Sequence, residues 1–459
     1  MPTPLDSATV GEFTTCPVEF GRDGKLLFDT QVAQLKSKID AAGSTDLLCL
    51  SHGWNNDEAE AKAMYEELLG NLDKERQAHP IGGGRKPPMV LLVYWPSKRF
   101  ADVDLIPGGA ASIDKSTPDT AIQSQIDLLR DAFTGPGRDD PAIQAVLARL
   151  EALLPQLETS DAACEDFVAL VRSIFTSTAL DEEPTVLDDA FFTGKGRDVL
   201  SRLSVNVTLP LKPTGQGGAA AGVPKLGKAT QQGQAAGLGN LFKGIKNGAY
   251  NLLNLFTYYE MKERGGRVGG EGLAPLLATL VKDRPQLRLH LCGHSFGGRL
   301  MAATLAGLPP QTGVRSLTLL QSAFSHWGFA TKYDGNNDGF FHGVFKEGRL
   351  AGPVLITYTA NDRAVGLAYP LASRLKNQVA AGLGDANDPY GGIGRNGAQK
   401  TSELDPNGDT ALLASTEDYK PFKAMQVYNL ESSPFISGHG DIRNAAVTHA
   451  LWTVVRMSA

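Results

Sequence analysis

Leu287–Gly307 reads LRLHLCGHSFGGRLMAATLAG. The first six residues are a short, mostly apolar run that predicts a buried strand. The last ten are dominated by small and helix-forming residues and predict a helix. Between them lies G-x-S-x-G, with Gly293, His294, Ser295, Phe296 and Gly297 filling the five positions. A strand that turns directly into a helix needs a bend too tight for flanking Cβ atoms, so glycines on either side of a serine fit this geometry and leave its hydroxyl standing above a sheet. In a chain with 51 glycines the five-residue pattern alone is weak. Its place between strand and helix is what gives it weight.

Further strand-like runs occur at Leu47–Leu50, Met89–Trp95, Leu317–Gln321, Val354–Thr359 and Met425–Leu430, with helical patterns at Gln31–Ala42, Gly272–Val281, Gly298–Gly307 and Ile442–Met457. Near-continuous apolar strands alternating with helices predict an α/β fold, a doubly wound and mostly parallel sheet covered on both faces. The alternation lapses between Trp95 and Leu287, too long a gap for one crossover helix. The chain is therefore expected to divide into a first core part at 1–100, a helical and Gly-rich insertion acting as a lid or cap at 101–256, and a second core part at 257–459. Within the insertion, Ile122–Phe133 and Ile143–Phe175 show helical spacing, and Pro210–Asn240 reads as a linker. Gly382–Asp409 reads as a long surface loop.

A serine hydroxyl is a poor nucleophile at neutral pH and needs a base, held in its tautomer by an acid. Asp362 closes the strand-like VLITYTAND and is the expected acid. His439, between Gly438 and Gly440 and just ahead of the C-terminal helix, is the expected base. His449 falls inside that helix and reads as a packing residue. Backbone N–H groups should receive the oxyanion: that of Phe296, after the nucleophile, and that of Trp54 in LLCLSHGWNND, where a strand opens into a loop. Asn55, His294, His326 and Trp327 are expected to line the substrate site.

These motifs resemble the α/β-hydrolase superfamily, and the pairing of SHGWNN with VYWPS (Val93–Ser97) is similar to an uncharacterised bacterial branch of esterase/lipase-like hydrolases with HGYNN-like and SWPS-like motifs. The resemblance covers about Leu47–Phe100 and Phe256 to the C-terminus. It implies carboxylic-ester hydrolysis through an acyl-enzyme, without a metal or organic cofactor. The chain departs from it in carrying Trp54 where Tyr is more usual, and in the insertion.

A net charge of −6 argues against nucleic acid as a partner. The N-terminus lacks a basic start and an apolar core, so a cytoplasmic location with free thiols at Cys16, Cys49, Cys164 and Cys292 is expected. Val199–Tyr259 contains no acidic residue but carries Arg202, Lys212, Lys225, Lys228, Lys243 and Lys246. With Leu241, Ile245, Leu252 and Phe256 it can be read as an amphipathic contact with a membrane surface, or as a helix packed on the core whose lysines meet Asp181–Asp189. Asp334, Asn336, Asp338 and Gly339 open like a calcium loop, but Phe345 stands where a bidentate Glu is required, so a turn is expected. Two other readings stay open beside the esterase: a lipase or phospholipase at a membrane, and a binding protein on a hydrolase fold. A peptidase or amidase would use the same triad. The substrate class is a small-molecule or lipid ester, and the oligomeric state is not legible.

Overall fold

The computed structural model describes residues 3–54, 56–97, 118–133, 141–177, 193–204, 244–362, 364–365 and 391–458. Among these, nine strands form one sheet: β1 Ala8–Val10, β2 Phe13–Glu19, β3 Asp46–Ser51, β4 Met89–Tyr94, β5 Arg288–His294, β6 Ser316–Leu320, β7 Val354–Tyr358, β8 Thr410–Ala411 and β9 Val427–Glu431. Their order is β1-β2-β4-β3-β5-β6-β7-β9-β8. β1 runs antiparallel to β2, and the other pairings are parallel. All six apolar runs read from the sequence are strands.

β1 and β2 were not among the expected strands. Thr14, Thr15 and Pro17 interrupt the apolar pattern of β2, and Pro normally excludes a central strand. Pairing with β1 stops at Thr15, however, so Pro17 sits on a stretch bonded on one side only, to β4. A missing N–H costs nothing on that open side.

The strands have two packed faces because successive side chains alternate. Leu47, Cys49, Leu289 and Leu291 join a core with Leu35 and Ile39 of α1 (Asp29–Ala42) and with Leu300 and Met301 of the helix that follows β5. Leu48, Leu50, Val90 and Leu92 join another with Tyr65 and Leu68 of α2 (Glu58–Ala78) and Leu451 and Trp452 of the C-terminal helix. The four cysteines are buried free thiols.

Between β4 and β5 the described helices are α3 Pro118–Phe133, α4 Pro141–Leu153, α5 Asp161–Ser177, α6 Gly196–Leu203, α7 Ile245–Arg267 and α8 Ala274–Asp283. Ile122, Leu147, Phe167 and Leu200 belong to the same core cluster as the sheet residues Leu289 and Leu291. α7 runs unbroken through Phe256, so the expected boundary there falls within a helix. Ile245, Leu252 and Phe256 are buried in that core, and Lys246 pairs with Asp119. Of the two readings of this apolar stripe, packing on the core holds over its described length, while Leu241, Lys243 and Asp181–Asp189 lie outside the described residues. No described helix is long and apolar enough to cross a membrane.

Two more helices complete the chain's longer described helices: α9 Phe296–Gly307 after β5, and α10 Ala445–Met457 at the C-terminus. α10 begins later than expected because Asn444 caps it, its side chain accepting from the Val447 N–H at 3.1 Å. The surface loop expected at Gly382–Asp409 needs correction near residues 391–398, whereas 402–409 are exposed or half-buried. Residues 391–394 are buried, Ile393–Asn396 is a helical turn, and Gly394 bonds Ser322 O and Thr359 N across the ends of β6 and β7. A Cβ on Gly394 would lie 2.6 Å from the Gln321 backbone. Glycine here marks close approach of two buried backbones rather than exposure.

Candidate active site

β5 ends at His294 and α9 begins at Phe296, leaving Ser295 as the hinge, with φ 57° and ψ −125°. A side chain rarely tolerates positive φ, and such a conformation costs roughly 1–3 kcal/mol, so surrounding bonds must hold it. The Ser295 N–H donates to Leu320 O at 3.0 Å, and its carbonyl accepts from Gly298 N at 3.0 Å and Ala323 N at 3.1 Å. A Cβ on Gly293 would come 2.1 Å from Gly297 O, and one on Gly297 2.3 Å from His52 O. The two motif glycines are thus required by contact with backbone.

The structure brings the three expected catalytic residues together. Ser295 Oγ and His439 Nε2 lie 2.8 Å apart, and His439 Nδ1 lies 2.8 Å from Asp362 Oδ2. The carboxylate can only accept, so Nδ1 carries the proton and Nε2 presents its lone pair to the serine hydroxyl. Asp362 is fully buried, whereas the His439 side chain is 24% exposed. Asp362 Oδ1 accepts from the Val365 N–H at 3.0 Å, and Oδ2 also accepts from Gln321 Nε2 at 3.3 Å. The loop carrying it is tied down twice. Arg395 Nη1 donates to Ala360 O at 2.6 Å, and Asn361 Nδ2 donates to Ile436 O at 2.8 Å in the loop that leads to His439.

His294 adds a brace. Its Nε2–H donates to the His439 carbonyl at 2.9 Å, with ring centroids 4.9 Å apart. Burial, then the neighbouring His439 ring, pushes its pKa down to about 3. It is therefore neutral, with Nδ1 bare.

SHGWNN and VYWPS prove to be one structure built at the ends of the adjacent strands β3 and β4. The His52 N–H donates to Tyr65 Oη at 2.8 Å, and that hydroxyl donates to Val93 O at 2.6 Å. The Trp95 N–H donates to His52 Nε2 at 3.3 Å, its indole N–H to His52 O at 3.1 Å, and the two rings stack at 5.6 Å. His52 Nδ1–H then donates to Gly53 O at 2.9 Å. Burial lowers the His52 pKa to about 4, which keeps the ring neutral for both bonds. Ser97 Oγ donates to Asn56 O at 2.9 Å, closing the loop. Immediately afterwards Asp57 and Glu60 form a reciprocal capping box that starts α2.

This lock sets Gly53 against Ser295: a Cβ there would lie 2.7 Å from Ser295 Cβ. Trp54 follows, its ring 5.6 Å from Phe296 and 6.2 Å from Tyr258 of α7, and Tyr258 lies 4.9 Å from Phe296. An aromatic wall thus stands beside the serine. Phe296, the first residue of α9, has a backbone N–H with no acceptor inside its own helix. Asn55 lies outside the described residues.

His326 and Trp327 make contacts within the loops that follow β6 and β7. His326 Nδ1 accepts from Asn396 Nδ2 at 3.2 Å, and Trp327 stacks on Tyr333 at 5.2 Å beneath Lys400. They brace the buried 391–400 segment. His449 is buried within α10, and Asp334 turns its carboxylate onto Asn336 N and Asn337 N at 2.9 and 2.7 Å, as a turn requires. Gln321, Asn361, Arg395, Tyr65 and the bracing role of His294 were missed by the sequence reading. VYWPS was the one visible hint, through the recurrence of Trp95 and Ser97 beside the HG loop. Compared with family models, curated proteins and solved structures, the chain matches none.

Proposed function

We propose that the protein is a serine hydrolase of the α/β-hydrolase type, cleaving carboxylic esters through an acyl-enzyme. The observation that carries this reading is the Ser295–His439–Asp362 chain, two contacts of 2.8 Å, with its serine on a positive-φ strand-to-helix turn. The strand order, with one antiparallel pairing at the edge, and the chain order Ser, Asp, His agree with it.

In this mechanism Ser295 Oγ attacks the ester carbonyl carbon as its proton passes to His439 Nε2, and Asp362 stabilises the imidazolium without taking the proton. The tetrahedral oxyanion is received by the Phe296 and Trp54 N–H groups, one such donor being worth about 10² to 10³ in rate. Collapse expels the alcohol, which takes the proton from Nε2 and leaves an ester on Ser295. Water, deprotonated by the same nitrogen, then releases the acid and restores the serine. The partly exposed Trp54, next to Gly53, offers an apolar surface to the acyl chain, backed by the buried Phe296 and Tyr258. Tyr258 belongs to α7, a helix that begins within the expected insertion and continues into the second core part.

The inward apolar face of α7 favours an esterase over a lipase or phospholipase that docks on a membrane through 199–259. The test is turnover of p-nitrophenyl esters from short to long acyl chains. Saturable hydrolysis of monomeric esters, absent in His439→Ala, is expected. A folded wild type that turns over none of the series would leave the binding-protein reading in its place.

A further inference from the structure

Remote from the triad, Glu75, His79 and His449 present three ligand-type atoms within 4.8 Å of one another. Glu75 and His79 are four residues apart, on one face of the last turn of α2 and at its cap. His449 reaches them from α10. Its Nε2 lies 2.7 Å from Glu417 O, and its Nδ1 lies 2.9 Å from Glu75 Oε2. A carbonyl oxygen can only accept, so Nε2 carries a proton. The positive species on the Nδ1–Oε2 contact is then either a second ring proton, which makes His449 an imidazolium paired with Glu75, or a cation that both atoms bind.

We propose that this positive species is a divalent transition cation of the zinc class, bound by His449 Nδ1, Glu75 and His79. Two imidazoles and a carboxylate suit zinc rather than magnesium or calcium. The surroundings have the pattern of a built site. The other nitrogen of His449 is fixed by a backbone carbonyl, as in most metal-bound histidines, and Tyr419 stacks on its ring at 5.4 Å. The backbone of His79 is held by the Trp452 indole, which donates to its carbonyl at 2.7 Å. The carboxyl end of α2 adds negative potential. Bonds of 2.0–2.1 Å in a tetrahedral site separate ligand atoms by about 3.4 Å, so on binding a metal His449 Nδ1 and Glu75 Oε2, now 2.9 Å apart, would open by roughly half an ångström while the half-buried His79 ring closes in.

The cluster lies one full length of α2, 21 residues and about 30 Å, from the HG loop, so the ion takes no part in the chemistry. It staples α2 to α10, the helices that follow the HG loop and the His439 loop. The test uses the full-length protein stripped with a chelator and titrated with zinc chloride by calorimetry and by thermal melting, beside His79→Asn and Glu75→Gln. One equivalent bound by the wild type, a melting temperature raised on the order of 5 °C, and binding weakened at least tenfold in both variants are expected. Magnesium should produce no shift. Zinc binding equal in wild type and variants, or a melting point indifferent to zinc and chelator, would overturn the site and leave a protonated His449 paired with Glu75.

Discussion

The sheet carries two Asp–His–Ser arrays, one near each end of β5. At the carboxyl end stand Asp362, His439 and Ser295. At the amino end Asp46 Oδ1 lies 3.3 Å from His290 Nε2, and His290 Nδ1 lies 2.8 Å from Ser316 Oγ. Residue types and spacings are nearly the same, but the surroundings are not. Arg85 and Arg288 pair with Asp46 at 2.8 and 2.7 Å, and Asp46 and His290 are wholly enclosed. Burial opposes the Asp46 charge, but bonds from His290, Arg288 and Arg85 outweigh it and hold its carboxyl below the usual carboxylate range. Ser316 lies within a regular strand, whereas Ser295 occupies a strained hinge beside first-turn N–H donors. The comparison teaches that a triad of atoms becomes a candidate active site only when access, backbone strain and neighbouring first-turn N–H donors accompany it. The amino-terminal array is a charge pin.

The comparison can be broken by exchanging what each array is asked to do. Ser295→Ala should lower ester turnover by at least about 10⁴, while Ser316→Ala should stay within threefold of wild type, as steady-state kinetics would read. Equal losses would erase the distinction. Asp362→Asn should lower kcat by about 10⁴ with the fold intact, through the wrong His439 tautomer. Asp46→Asn should instead leave the turnover of folded protein unchanged and cost about 3–5 kcal/mol in urea unfolding, since two arginines lose their buried counter-charge.

A smaller effect sharpens the account of His294. Its folded pKa, about 3, lies below the unfolded value, so only the unfolded chain takes up a proton as pH falls below about 6.5. The stability tied to its neutral state is whole above that pH and is lost on acidification down to about 3. Denaturation at pH 6, 5 and 4 should therefore show His294→Gln losing on the order of 1.4 kcal/mol less per pH unit than wild type. Parallel curves would mean that His294 is charged in the fold. The smallest effect expected is that of Gln321→Leu, which removes one of several bonds to Asp362 and should reduce kcat by about tenfold or less.

What was legible in the sequence follows from where the information is local. Ser295, Asp362 and His439 each follow a strand-like run and are flanked by turn residues, so strand ends and chain order sufficed to find them. The β2 strand was hidden because Pro17 is excluded from central strands and no sequence feature says where β1 stops pairing. The 391–396 turn was misread because glycine signals exposure and close burial alike. Gln321, Arg395 and Asn361 act across 41, 33 and 75 residues of chain, and the Asp46–His290 contact spans 244. Nothing in local spacing announces such partners.

The most direct test of the central claim is to treat the folded protein with a fluorophosphonate and map the adduct by peptide mass spectrometry. The account predicts a single adduct on Ser295, within the tryptic peptide Leu289–Arg299, and its loss in Ser295→Ala but not in Ser316→Ala. A folded, ester-hydrolysing protein labelled at another residue, or labelled undiminished in Ser295→Ala, would contradict it.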